Sequence, residues 1–343
     1  MVSDQQSLMR EDHYQYGGSM SLNRDGGPVV DIERFIEAER KFVAFQQAGD
    51  HEKAVKALEA VLRQNKQFVQ NLEDTLLSSL FEKLAVGYNT LGMKFLKLGK
   101  TDLSLRYFQK SEVVTDPANL HIHTNTRLVL RAVTYNNLGC FYKSMNKLHT
   151  ALHYLRKALV IEERGLAERR HMEDENEDNP DPDESVAAAP ATSGSSSGAQ
   201  NPAATHLNLC ALLSQMSMHE KALYHAQKAI KFLQQDEARR KELLRRQEED
   251  GPAASDQQTE AAVQAAAATR QDESLTPVAY FNMGAEYEHL KYYTEALEAY
   301  GQAYEACLSE LGAGHALTSK ILDSIKQLKK NLGPSKTNAK GKK

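Results

Sequence analysis

One pattern recurs along this 343-residue chain and limits what it can fold into. Its fullest copy is Tyr135, Leu138, Gly139 and Tyr142, followed by Ala151, Leu155 and Ala158. A second copy reads Tyr88, Leu91, Gly92 and Phe95, then Ser104, Phe108 and Ser111, and a third reads Tyr280, Met283, Gly284 and Tyr287, then Ala296, Tyr300 and Ala303. Two weaker copies keep the same offsets. One has His206, Leu209, Cys210 and Leu213 before Ala222, Ala226 and Ala229; the other has Phe42 at the small position and Phe45 after it, before Ala54, Leu58 and Val61. Self-similarity of this kind marks a stack of supersecondary units, each too small to bury its apolar face alone.

Helix geometry explains the offsets. Tyr135, Leu138 and Tyr142 lie at i, i+3 and i+7, one stripe of a helix, and bury together. A small residue at Gly92, Gly139, Cys210 or Gly284 lets a partner helix cross closely, with the later Ala or Ser at the same crossing. Leu, Ala, Glu, Lys and Gln dominate the composition, and no sustained alternating Val, Ile and Thr runs occur. The fold class expected is therefore all-α.

These residues resemble the tetratricopeptide repeat. The resemblance implies an α-solenoid: a right-handed superhelix of antiparallel helix hairpins, about five units over residues 31 to 332, ending in a C-terminal capping helix. Tyr88, Tyr135 and Tyr280 stand where that repeat often has Trp, which this chain lacks. The small positions 42, 92, 139, 210 and 284 are spaced by 50, 47, 71 and 74 residues, against the usual ~34. The two shorter excesses predict lengthened helices over Leu72 to Phe95 and Arg127 to Tyr142. A second, narrower resemblance lies at Leu311-Gly-Ala-Gly-His315-Ala-Leu-Thr318, which is similar to a junction of kinesin-light-chain repeats, although the heptad coiled coil of a true kinesin light chain is absent.

Composition divides the rest of the chain. Residues 1–30 are expected to be disordered, and 31–172 hold repeats 1 to 3. Residues 173–202 are acidic and then rich in Pro, Ala, Ser and Gly, which predicts a disordered loop. Residues 203–250 hold repeat 4, with a second helix prolonged from His219 through the charged run Asp236 to Asp250. A polar, Ala-rich linker at 251–274, repeat 5 at 275–310, a cap at 311–332 and a basic tail at 333–343 complete the reading.

Function classes narrow by exclusion. The amino-terminal residues offer no apolar signal core, and no stretch approaches the ~18 apolar residues of a membrane span. Cys140, Cys210 and Cys307 are far apart with no C-x-x-C pair, so a reducing cytosolic compartment is expected, with no integral membrane contact. Gly194-Ser-Ser-Ser-Gly198 matches a nucleophile-elbow pattern but lacks the strand-to-helix context. His149 with His153, and His121 with His123, have no Cys or carboxylate to complete a metal site, and no phosphate-binding glycine loop occurs. No enzyme activity, cofactor, metal or small-molecule substrate is expected.

The resemblance implies that first helices line a concave groove holding an extended peptide or a helix of a partner protein. The residue two before the small position is Asn137, Asn208 and Asn282 in the last three repeats and Thr90 in the second. A side-chain amide there can both donate to and accept from a bound backbone; an Asn merely tolerated on an exposed helix reads the same way. Neighbouring groove candidates are Asn89, Asn136, Lys97, Lys143, Phe281, Glu288 and His289, a mixture that favours neither sign of ligand. A carboxylate clamp of the co-chaperone type is not expected, because only Asn137 matches its pattern while Asn89 and Met93 stand where its first Lys and Asn belong. Residues 326 to 343 contain seven Lys and no acid, so the tail suits an acidic surface such as microtubules, nucleic acid or anionic membrane. The leading expectation is a scaffold or adaptor; the alternative is a structural subunit of a cytoskeletal or ciliary assembly.

Overall fold

The computed structural model describes residues 32–65, 74–177, 202–249 and 275–332. The expected disordered start, most of the 173–202 loop, the 251–274 linker and the basic tail at 333–343 lie outside the described residues. Eleven helices and no strand occur among those described: α1 (Ile32–Gln47), α2 (His51–Gln64), α3 (Asp74–Lys97), α4 (Thr101–Val114), α5 (Thr124–Ser144), α6 (Leu148–Glu177), α7 (Ala203–Gln215), α8 (His219–Glu249), α9 (Leu275–His289), α10 (Tyr293–Glu310) and α11 (Ala316–Leu332). They cluster into two compact units, one ending at Ile161 and one beginning at Glu162.

Five helical hairpins share one turn geometry, which fixes the repeat register from the backbone alone. The residue seven after each small position has positive φ: Gly49 (76°), Gly99 (71°), Asn146 (57°), Ser217 (59°) and Lys291 (66°). At each, its N–H reaches the carbonyl three residues back, and the next N–H reaches the carbonyl five back, as in Gly99 to Leu96 (3.0 Å) and Lys100 to Phe95 (2.9 Å). This is the Schellman ending, which satisfies carbonyls that a terminating helix orphans. One further bond repeats: the small residue of the second helix donates to the carbonyl four before it, as in Ala151 to Lys147 (2.9 Å) and Ala296 to Tyr292 (2.9 Å). The degenerate first copy and the His206 copy are therefore hairpins of the same build as the others.

The crossing of each hairpin is set where the pattern places it, with one addition. A Cβ on Gly139 would sit 2.5 Å from Leu155 Cγ, and one on Gly284 2.6 Å from Tyr300 Cδ1; on Gly92 it would overlap the Phe108 ring. The large residue sixteen after the glycine thus fills the space that the missing Cβ leaves. The small residue twelve after it lies close by, for Ser104 Oγ donates to Gly92 O at 2.8 Å.

In unit 1 the core runs from Phe35, Phe42 and Leu58 through Leu80, Tyr88 and Leu91, and a second cluster joins Phe108, Tyr135, Leu138 and Phe141. Each fully buried Leu or Phe of this kind contributes about 1.5–3 kcal/mol. In unit 2, Ala203, Leu207, Ile230 and Ala279 pack α7, α8 and α9 together. The capping helix α11 buries Thr318, Ile321 and Leu328 against the last hairpin and leaves Lys320, Lys326, Lys329 and Lys330 exposed. Its entry is held by Gly312 (φ 85°), whose carbonyl accepts from Thr318 Oγ1 at 2.8 Å, and by His315 Nδ1, which accepts the Leu317 N–H at 3.2 Å.

α5 covers the predicted Arg127 to Tyr142, α3 runs from Asp74 through Phe95 with residues 72 and 73 outside the described residues, and α8 continues to Glu249 through the charged run. One boundary differs. Residues 173–177 of the expected loop belong to α6, because no Pro or Gly falls between Glu173 and Glu177 to end the helix. No described helix is long and apolar enough to cross a membrane.

Candidate functional site

The predicted groove residues fall into distinct environments. Asn89 is not a groove residue. It is 5% exposed, and its Nδ2 lies 2.9 Å from Ser111 Oγ, 3.0 Å from Thr134 Oγ1 and 3.1 Å from Ala85 O. Ser111 and Thr134 are themselves 2.9 Å apart. An amide buried among helices α3, α4 and α5 is stable only because these partners replace water, each unmet bond costing about 1–3 kcal/mol. The sequence signal for this network was Ser111, a polar residue at a position where the other repeats carry Ala or Val.

Asn137 builds on that network. Its Nδ2 donates to Asn89 Oδ1 at 3.1 Å, so a buried amide orients a half-buried one. The carbonyl oxygen of Asn137 has no partner among the described residues. Thr90, the equivalent residue on α3, turns its hydroxyl back to Val86 O at 3.0 Å. Lys97 is exposed and Lys143 half-buried, both in the last turn of their helices. Asn136 is half-buried beside Asn137. Burial pushes the nearby Cys140 thiol up, with the Lys143 charge partly opposing it.

In unit 2, Asn208 and Asn282 are both half-buried on first helices α7 and α9. Phe281 is half-buried. Its ring packs on Tyr300 at 5.5 Å, and Lys320 Nζ sits 4.9 Å above its centroid, so it belongs to the contact between the last hairpin and the cap. Glu288 accepts from Tyr300 OH at 3.0 Å. Burial first, and that carboxylate second, raise the Tyr300 phenol well above its ordinary value. Glu288 and His289 line a cleft of 520 Å³ together with Lys291, Tyr293, Leu328 and Leu332.

Sequence reasoning missed a contact between α8 and α9. His289 stacks on His219 with ring centroids 4.2 Å apart, and His219 Nδ1 lies 2.8 Å from Glu286 Oε2. Glu286 is buried and two residues from Gly284, a position that no periodicity singles out. No group of three or more His, Cys, Asp or Glu among the described residues is placed to hold a metal ion. The isolated histidines at 121, 123, 149 and 153 stay apart from any such set.

A family model described as tetratricopeptide repeat matches residues 132–163 and 277–309, the third and fifth hairpins. Those two hairpins match the tetratricopeptide repeat. No curated relative matches. Similar solved structures include a MamA protein, 14% identical over 80% of this chain and 92% of that one with a TM-score of 0.39. A thermophilic tetratricopeptide repeat protein of Thermus thermophilus is 15% identical over 85% of this chain and 99% of that one, TM-score 0.33. A tetratricopeptide repeat protein of Parabacteroides merdae is 16% identical over 86% and 99%, TM-score 0.25. At these identities and scores, the assignment of the second, fourth and first hairpins rests on their turns, which repeat the geometry of the two matched copies.

Proposed function

We propose that this protein is a non-catalytic adaptor whose first helices hold an extended peptide or a helix of a partner protein. The observation that carries the reading is Asn137: a half-buried amide fixed by the buried Asn89, with its carbonyl oxygen left for a ligand N–H. Pre-orientation of this kind lowers the entropy lost when a partner binds. Asn208 and Asn282 occupy the same register position on α7 and α9. The supporting context is five hairpins of one build and side-chain chemistry suited to recognition.

The test is a pulldown from cells with the full chain and with Asn137→Ala, Asn208→Ala and Asn282→Ala combined. The reading expects partners to be lost from the variant while its melting temperature stays close to that of the parent. Undiminished capture of every partner by the variant would show that binding takes place elsewhere.

A further inference from the structure

One register position is shared by all five hairpins and holds an acid in a single copy. Twenty-three residues after the small position, on or just past each second helix, stand Asn65, Thr115, Glu162, Leu233 and Cys307. Asn65 and Thr115 are buried and spend their polar atoms on their own helix: Asn65 Nδ2 donates to Val61 O and Thr115 Oγ1 to Ser111 O, each at 2.8 Å. Leu233 is apolar, and Cys307 Sγ lies 3.1 Å from Thr318 Oγ1 on the following helix, α11. Glu162 is only 8% exposed. Thr205 Oγ1, on the following helix α7, donates to its Oε1 at 3.0 Å. The other oxygen, Oε2, is buried with no hydrogen-bond partner among the described residues.

The surroundings of Glu162 disfavour its charge. It and Thr205 both belong to unit 2. α7 has no Asp, Glu, Lys or Arg from Ala203 to Gln215. Its His206 is turned to α8, where Nδ1 lies 2.8 Å from His225 Nδ1, the ring stacks on Phe232 and the Lys228 charge acts on it. On α6 the charge acting on Glu162 is the like charge of Glu163, while Arg164 is paired with Glu168 at 2.8 Å. An ionised carboxylate here would keep one oxygen both unsolvated and unpaired, a cost that the neutral acid largely avoids. Burial, opposed by the Thr205 bond and reinforced by Glu163, pushes Glu162 up to about 7.

We propose that Glu162 is a proton-operated latch: protonated, it holds α7 against α6, and ionised, it loosens that contact. The latch is independent of the groove reading above. Because the docked acid is raised above its ordinary 4.5, opening releases a proton. The contact is therefore tightest below pH 4.5, weakens as pH rises towards 7, and levels off once the docked acid is also ionised. His206 would titrate in the opposite sense, but its partners lie on α8, so parting α7 from α6 leaves it buried. Local opening follows Glu162 alone, whereas global unfolding exposes both groups.

The experiment is hydrogen exchange with mass spectrometry on the full chain from pH 5.5 to 8.5, each amide rate corrected for its intrinsic pH dependence. Protection of residues 203–215 should fall roughly tenfold or more between pH 5.5 and 7.5 in the parent. In Glu162→Gln, which keeps an acceptor for Thr205 without a charge, it should stay level. Thr205→Val should move the transition to higher pH, because the bond that Thr205 donates favours the ionised form. Carbon-13 titration of the Glu162 carboxyl in the parent needs no variant and decides the point even where a variant fails to fold. Equal pH profiles for the parent and Glu162→Gln, or a carboxyl that titrates at its ordinary 4.5, overturn the proposal. So does protection that is lost on acidification and restored by His206→Phe, since α7 would then be parting from α8. No outcome involves a partner peptide, so failure here leaves the groove reading intact.

Discussion

Lys291 should be replaceable by glycine with a gain in stability. It is the turn residue of the fifth hairpin and holds φ 66°, whereas the first and second hairpins carry Gly49 and Gly99 at the same position. In that left-handed region a Cβ crowds the following carbonyl, which costs about 1–2 kcal/mol. Glycine removes that cost but adds about 0.5–1 kcal/mol of unfolded-state entropy. The side chain of Lys291 is exposed and makes no hydrogen bond or ion pair among the described residues, so little else is lost. The difference spans about 0–1.5 kcal/mol and centres on a stabilisation of about 0.75 kcal/mol, or roughly 1–3 °C in melting temperature.

Two controls separate backbone strain from side-chain charge. Lys291→Ala removes the cation and keeps the Cβ, so it should gain nothing. Gly99→Ala introduces a Cβ at φ 71° with no atom within 4 Å of it, so any loss must be conformational, and about 1 kcal/mol is expected. Urea and thermal melts followed by circular dichroism measure all three. If Lys291→Ala matched Lys291→Gly, or if Gly99→Ala cost nothing, the argument from the left-handed turn would be refuted and electrostatics would have to replace it.

Further predictions follow from the packing. Gly139→Ala and Gly284→Ala should each cost about 1–3 kcal/mol by driving a methyl into Leu155 or Tyr300, while Gly301→Ala, in the middle of α10 with open space around it, should gain up to about 1 kcal/mol; calorimetry distinguishes the two classes. Asn89→Leu should destabilise unit 1 by about 2–4 kcal/mol because Ser111, Thr134 and Asn137 lose their common partner, visible as faster hydrogen exchange in α3 and α5. Two buried groups in unit 2 should give opposite pH slopes. Burial, with His225 and Lys228 adding to it, holds His206 down at about 3, below its unfolded 6.5, so it contributes stability that is lost as pH falls below 6.5. Burial pushes Glu162 up to about 7, above its ordinary 4.5, so it contributes stability that is lost as pH rises from 4.5 to 7, although Thr205 donates to it at 3.0 Å. Relative to the parent, His206→Phe should therefore gain most at pH 5 and Glu162→Gln most at pH 7, each difference changing by at most about 1.4 kcal/mol per pH unit; melts that show the same pH trend for both variants would refute the assignment.

How far the sequence could be read depends on which physical requirement each residue answers. Gly92, Gly139 and Gly284 were legible because close crossing excludes a side chain, and the same requirement recurs at a fixed offset from an aromatic in every full copy. The turn residues were not legible. Gly49 and Gly99 advertise a left-handed backbone, but Asn146, Ser217 and Lys291 adopt the same φ because the Schellman bonds impose it, and nothing about Lys suggests that conformation. Asn89 was misread for a related reason. Helical position put it one residue from the Thr90 and Asn137 register, and period alone does not reveal that three polar atoms from α3, α4 and α5 converge there. The signal was the pair of serines at 104 and 111, where the other copies carry Ala or Val. Each is a hydroxyl placed at a tight crossing, and each finds a partner on α3: Ser104 the carbonyl of Gly92, Ser111 the amide of Asn89.

That pairing changes what the register of asparagines means. In unit 1 the candidate ligand-binding amide is not an isolated surface residue; it is the outer member of a buried chain running from Ser111 and Thr134 through Asn89 to Asn137. A polar chain of this kind resists apolar replacement at any single member, because the remainder would be left unsatisfied in a low-dielectric interior. It also ties the orientation of Asn137 to the packing of α3 against α5. Substituting Thr134 by Val should therefore weaken peptide binding through the loosened Asn137 even though Thr134 is fully buried and touches no ligand. The conservative Thr134→Ser, which keeps the hydroxyl, should restore most of the affinity. Equal binding by the Val and Ser variants, at equal melting temperature, would show that Asn137 holds its position without the buried chain.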